Sequence, residues 1–228
     1  MGGSSPDAEL SAPSGDPYAV RPARQVRSRL VWGRVLDAGL RLVEDVGYDG
    51  FTIAAVCERA DVAPQQIYAR VDSKEALFLA VYEHGIARLE VVQGVLEDER
   101  RWVGRDCREV VEGAVRAVAD VFAAGQGFLR AVIVVAGTNP EIRRRGNRYN
   151  LEFAERFVGL VLRSDHGQIA RRDRRTAVVT AYNAVWSSLV MRTAFGPGFA
   201  APPMDDEDFV DGLVGLAAGY LFTPLSTP

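Results

Sequence analysis

Residues 60–77 read ADVAPQQIYARVDSKEAL and hold a proline, two glutamines, a tyrosine and the only lysine of the chain. Such side chains are poor choices for a core, yet they lie between two apolar helical patterns. Upstream, Val31, Val35, Leu36, Leu40, Val43 and Val46 recur every three or four residues. They predict a first helix that starts at an N-cap, Ser28, and stops at Gly47 in the left-handed C′ position. GYDGFT turns the chain, and Thr52 is placed to cap a short second helix, IAAVCERA, ending at Asp61. Pro64 suits the first position of a third helix, because the N–H it lacks would have no intrahelical partner there. That helix runs to about Val71. Asp72 and Glu75 then read as a D-x-x-E capping box opening a long fourth helix, with Leu77, Val81, Ile86, Leu89, Val92 and Leu96 on its apolar face.

Two short helices joined by a tight turn make a helix-turn-helix, here over about 52–71, whose second helix enters the major groove of DNA. Gln65 and Gln66 stand in the first turn of that helix, where side chains reach base edges. Glutamine offers an acceptor and a donor together, the pair that reads N6 and N7 of adenine. Tyr68, Arg70 and Lys74 follow, a hydroxyl and two cations suited to phosphate oxygens. Val56, Ala60, Val62, Ile67 and Val71 are the apolar set expected to hold the two helices together.

The net charge of −3 does not suit a nucleic-acid binder until its distribution is read. Residues 1–20 carry Asp7, Glu9 and Asp16 without a basic residue, and are rich in Ser, Pro and Gly, as a disordered tail is. Residues 18–36 carry Arg21, Arg24, Arg27, Arg29 and Arg34 without an acid. Such a stripe can meet a phosphate backbone whatever the global sum, although a solvated arm accounts for it equally well.

Beyond Trp102 the pattern remains helical, with candidates at about 105–124, 126–137, 140–165, 172–195 and 205–222. An all-α fold follows, with a tail over 1–20, a DNA-binding domain over 21–75 and a larger helical domain over 76–228. AVVTAYNAVWSSLVMRTAF is apolar or small on nearly every face. The segment 205–222 has a face of Phe209, Leu213, Leu216, Ala217 and Tyr220. Helices 172–195 and 205–222 therefore suit a dimer interface, or the buried core of a monomer. No apolar run approaches the roughly 18 residues that span a bilayer, and the N-terminus lacks the pattern of a secretory signal. Cys57 and Cys107 are too few for a disulfide framework, so a cytoplasmic protein is expected.

The stretch GYDGFTIAAVCERADVAPQQIYARVDSKEALF resembles the DNA-binding segment of the TetR family of bacterial transcriptional regulators. That family shows a glycine-aromatic opening, an alanine-glycine-valine-serine turn, leucine-tyrosine, histidine-phenylalanine and SKEAL. Gly47, Thr52, Ala60, Val62, Tyr68, Ser73, Lys74, Glu75, Ala76 and Leu77 match. Asp61 replaces the turn glycine, Ala63 replaces the serine cap, and Arg70-Val71 replace histidine-phenylalanine. The resemblance implies that Thr52, Tyr68 and Lys74 grip phosphates and that Gln65 and Gln66 read bases. Arg70 would serve either duty, with Arg27 and Arg29 of the basic arm also at the DNA. It implies further a homodimer on a near-palindromic operator, its recognition helices about 34–36 Å apart. A small-molecule effector bound among the C-terminal helices would release the DNA, the fourth helix acting as connecting rod.

The effector is not readable from the residues. Phe128, Tyr149, Phe153, Tyr182 and Trp186 either line an apolar pocket, with Asn150 or Asn183 supplying polarity, or are ordinary core. RRRGNR (143–148) and RRDRR (171–175) are solvated faces, partners of the many acids, or an attraction for an anion. Two histidines, no metal-ligand spacing, no glycine-rich phosphate loop and no nucleophile elbow argue against an enzyme, a metal or a cofactor. The rival is a helical ligand-binding or interaction module whose helix-turn-helix no longer binds specific DNA.

Overall fold

In the computed structural model of the chain, residue 20, residues 26–199 and residues 202–224 are described. The described residues form an all-α fold: α1 (Val26–Gly50), α2 (Ile53–Ala60), α3 (Pro64–Tyr68), α4 (Lys74–Gln93), a 3-10 turn (Gly94–Leu96), α5 (Glu99–Trp102), α6 (Cys107–Ala124), α7 (Gln126–Ala136), α8 (Pro140–Ser164), α9 (Arg174–Phe195) and α10 (Asp206–Phe222). The expected tail over 1–20 lies outside the described residues except for Val20.

Local chemistry sets most boundaries. The Thr52 hydroxyl accepts from the Ala55 N–H at 3.1 Å and opens α2. Asp61 closes α2 in the left-handed region (φ 52°), its N–H bonded to Glu58 O at 3.3 Å while Val62 N–H reaches Cys57 O at 3.1 Å. Gly47 has the expected positive φ, 68°, and breaks the helical path of α1. Three expectations fail. Among the described residues α1 already runs from Val26, so Ser28 lies inside it. The cap of α4 is Ser73, whose hydroxyl accepts from Ala76 N–H at 3.1 Å, so the D-x-x-E box from Asp72 does not form. Its α4 ends at Gln93, and the apolar run continues to Leu96 through the 3-10 turn.

One continuous core joins the helices. The first three helices close around Phe51, Val56, Ile67 and Val71, all fully buried, and α4 carries that core into the larger half. There α1, α4 and α7 lie close. A Cβ on Gly39 of α1 would stand 2.5 Å from a Val81 methyl, and one on Gly85 of α4 would meet the Phe128 ring at 2.5 Å. Glycine thus lets the connecting helix lie against both neighbours. On the far side Phe153, Phe157, Tyr182 and Trp186 of α8 and α9 make edge and stacked ring contacts 5.3–6.3 Å apart. Leu216 of α10, expected at a dimer interface or in the core of a monomer, is 53% exposed in the single chain.

Candidate functional site

The recognition helix α3 is held by the other helices and presents the rest of itself. Ile67 is fully buried, while Pro64, Gln65, Gln66 and Tyr68 are exposed, Tyr68 by 50%. Ala63 has no side-chain acceptor with which to cap the helix. The missing bond is replaced from the other direction, since Gln66 Oε1 accepts from the Ala63 backbone N–H at 3.0 Å. That commits one end of the Gln66 carboxamide. Gln65 has no such engagement with the helix among the described contacts and presents an acceptor and donor together outward.

The flanks are built by α1 and α4. Lys74 is half-buried: its ammonium donates to Tyr48 O at 3.1 Å and sits 4.2 Å over the Tyr48 ring. Tyr48 is in turn held edge-on by Phe78, 4.7 Å between centroids. Lys74 thus ties the start of α4 to the turn before Thr52, and an ammonium with three donors keeps others for a phosphate. Thr52 is exposed beside it. Arg29 is exposed on the first turns of α1, whereas the side chain of Arg27, and all of Arg21 and Arg24, lie outside the described residues.

Arg70 differs from its expected role. It is only 7% exposed, its guanidinium lies 5.3 Å from the Trp32 ring centroid, and Nη2 donates to Ser28 O at 3.4 Å. The side chain turns back onto α1 and fastens it to α3. It belongs to the scaffold that positions the recognition helix, and its planar guanidinium is suited to that stacked position.

In the larger half an apolar cavity of about 210 Å³ opens between α4, α7, α8 and α9. Tyr149, Asn150 and Trp186 line it, as expected. Phe128, Phe153 and Tyr182 do not: Phe128 is packed under Gly85, and the other two form the ring stack behind the wall. Asn183, the alternative source of polarity, is exposed. Tyr82 and Phe122 also line the cavity without having been singled out in the sequence, as does Ile86, read there only as part of the apolar face of α4. The basic clusters are largely engaged. Arg144 and Arg145 bond Glu141, Arg145 also bonds Glu83, and Arg175 bonds Glu155 at 2.7 Å.

Residues 35–81, which hold both short helices and the start of α4, match the family described as bacterial regulatory proteins, tetR family. That segment is similar to the DNA-binding segment of the TetR family. HTH-type transcriptional regulators of Mycobacterium bovis and Mycobacterium tuberculosis are 28% identical to this chain over 141 residues, 60% of it. The match spans 64% of the length of those relatives. A Rhodococcus crystal structure assigned to the TetR-family transcriptional regulators superposes over 85% of this chain and 100% of its own, with a TM-score of 0.65 at 16% identity. The fatty acid degradation regulator FadR of Bacillus halodurans gives 0.59 over 83% of this chain and 95% of its own, also at 16% identity. At those identities the likeness is one of fold alone. Among the described residues no cluster of His, Cys, Asp and Glu could hold a metal, and no single helix is long and apolar enough to cross a membrane.

Proposed function

We propose that this protein is a cytoplasmic, DNA-binding transcriptional regulator of the TetR family, a repressor that binds a near-palindromic operator as a homodimer and leaves it on binding a small molecule. The observation that carries the reading is the outward presentation of Gln65, Gln66 and Tyr68 on a helix anchored by Ile67. Gln65 is the principal reader of bases; Thr52, Tyr68, Lys74 and Arg29 meet phosphates, with Arg27 beside them. The names of the mycobacterial relatives, HTH-type transcriptional regulators, agree with it. The domain division at about residue 75 falls where α4 leaves the helix-turn-helix, and dimerisation is assigned to α9 and α10.

Release needs only that the ligand bind two conformations with different affinity. Three consecutive residues of α4 supply the link. Tyr82 lines the cavity, Glu83 accepts from Arg145 of α8, and His84 bonds Asp37 of α1 at 2.8 Å. A shift of α4 at the cavity is therefore felt by the helix that carries the DNA-binding half.

Selection of bound sites from random DNA, followed by mobility shift with the selected site, tests the reading. Lys74→Ala should weaken binding on all sequences alike and reduce the slope of log affinity against log salt by roughly 0.9, the value for one phosphate contact. The second reading, a module without specific DNA binding, draws on the commitment of Gln66 to Ala63 and of Arg70 to Trp32. Retardation without sequence preference that disappears at moderate salt would establish it instead.

A further inference from the structure

The cavity has a chemistry of its own. Its inner wall is apolar and aromatic, with Phe122, Val132, Ile133, Ile142 and Trp186, and Phe122 and Trp186 meet edge-on at 4.9 Å. Its volume, about 210 Å³, lies below the about 300–1,000 Å³ usual for sites of drug-sized ligands. A second, polar hollow of about 320 Å³ shares Tyr82, Ile86 and Tyr149 with it. Across the two, Arg143, Arg145 and Arg148 face Glu83, Glu90 and Glu152, so the charges of the rim balance. Arg145 is already paired with Glu83 and Glu141. Of these six groups only Arg143 lines the apolar cavity itself.

Two of the polar residues that line the cavity, Tyr149 and Asn150, are set as donors by their partners. Gln93 is 1% exposed on the α4 face that bears Ile86 and Leu89, and it is fully engaged. Its carbonyl oxygen accepts from Arg156 Nη1 at 3.1 Å, and its amide nitrogen donates to the Tyr149 hydroxyl oxygen. A chain of donors thus runs from a guanidinium through a buried amide to a phenol on the cavity wall, each bond polarising the next. With its oxygen accepting from Gln93, the Tyr149 hydroxyl keeps its own proton to donate, and Tyr149 is among the residues that line the cavity. Burial raises the pKa of Tyr149 and of Tyr82, so both remain protonated. Asn150 is arranged similarly. Tyr182 O–H donates to its Oδ1 at 2.8 Å, which leaves the amide N–H₂ as the group for a ligand.

We infer that the cavity takes a compact, uncharged ring system bearing one hydrogen-bond acceptor, of the aryl ketone class, with its oxygen on Tyr149 and Asn150 and its rings against Phe122 and Trp186. An acyl chain with an anionic head fits less well. The cavity is short, and placing a carboxylate against Tyr149 and Asn150 among these apolar walls would strip its water, with the exposed Arg143 the one cation among the lining residues. The inference rests on the effector reading above only for the use to which binding is put.

The test is calorimetric titration of the full-length protein with four probes: 2-acetylnaphthalene, 2-ethylnaphthalene, 2-naphthoate and decanoate. The first three share a ring system and differ in acceptor and charge. The ketone should bind about tenfold more tightly than the ethyl compound, the worth of one well-placed hydrogen bond, and more tightly still than either anion. Tyr149→Phe should reduce the ketone's advantage over the ethyl compound to a few-fold, with helicity by circular dichroism confirming the fold. Equal binding of ketone and ethyl compound by the wild-type protein, preference for naphthoate or decanoate, or no binding of any probe overturns the inference. Mobility shift of the DNA complex is a separate readout. A bound ketone that leaves the complex intact defeats effector release and leaves this ligand chemistry standing, whereas release by an anion that outcompetes the ketone does the reverse.

Discussion

Gln66 Oε1 receives the backbone N–H of Ala63 at 3.0 Å, so the third residue of the recognition helix closes the end that the alanine leaves open. The two neighbouring glutamines therefore have different work. Gln66→Ala should cost about 0.5–1.5 kcal/mol of stability, the net worth of a hydrogen bond whose loss leaves a donor without its partner. Gln65→Ala should change base preference and leave the melting temperature nearly unaltered. Thermal unfolding of both variants, beside site selection with each, separates the roles. Equal melting temperatures, with base preference altered by Gln66→Ala alone, would exchange them.

Arg70 makes a similar point about position. Stacked on Trp32 and bonded to Ser28 O, it joins α3 to α1. Arg70→Ala should destabilise the protein by about 1–3 kcal/mol, because a buried cation–π contact and a charged hydrogen bond go together. Its effect on DNA affinity should follow the fraction folded and be alike for all operators. A fully folded Arg70→Ala protein with altered base selectivity would return the residue to the DNA.

What was legible in the chain was what depends on near neighbours. Thr52 as cap, Gly47 with a positive φ and Pro64 at a helix start each need only a few adjacent residues, and the structure has them so. The choice between Asp72 and Ser73 as cap was one of two adjacent candidates, and geometry selected Ser73. Arg70 could not be read, since its partners Trp32 and Ser28 lie about 40 residues upstream and meet it only after folding. The donor chain did leave a trace. Tyr82, Ile86, Leu89 and Gln93 follow one helical stripe, and a glutamine in register with a buried face signals a polar group with a partner. Phe128, Phe153 and Tyr182 share the composition of a pocket wall, and only packing shows that they stand behind it.

Acid should loosen the junction between α8 and α4. Hydrogen bonds from Arg144 and Arg145 hold the Glu141 carboxyl down at about 2, below the ordinary carboxylate range. A depressed pKa in the folded state means that the contribution is fully present above the unfolded value near 4.5 and is lost as pH falls towards about 2. Melting temperature measured across that window should fall more steeply for the wild type than for Glu141→Gln, which has no such proton to take up. Parallel profiles would show that the carboxylate contributes nothing to the acid response.

The exposed face of α10 bears on assembly. Gly212, Gly215, Leu216 and Gly219 all face solvent, and a Cβ on any of the three glycines would meet nothing within 4 Å. An apolar side chain 53% exposed among residues without side chains lets a second helix approach closely and bury it, which is what a helix of a paired bundle needs. Along α9 the outward residues Asn183, Ser187 and Met191 are likewise small, polar or flexible. Leu216→Glu places a charge on that face in each of two copies and brings like charges together across a twofold axis. Sedimentation equilibrium should then find monomer for the variant, against the dimer proposed for the wild-type protein. Operator affinity should fall with it, because two recognition helices a helical turn apart are held in register only by the partner. A Leu216→Glu protein that remains a dimer with unchanged operator affinity would place the interface elsewhere.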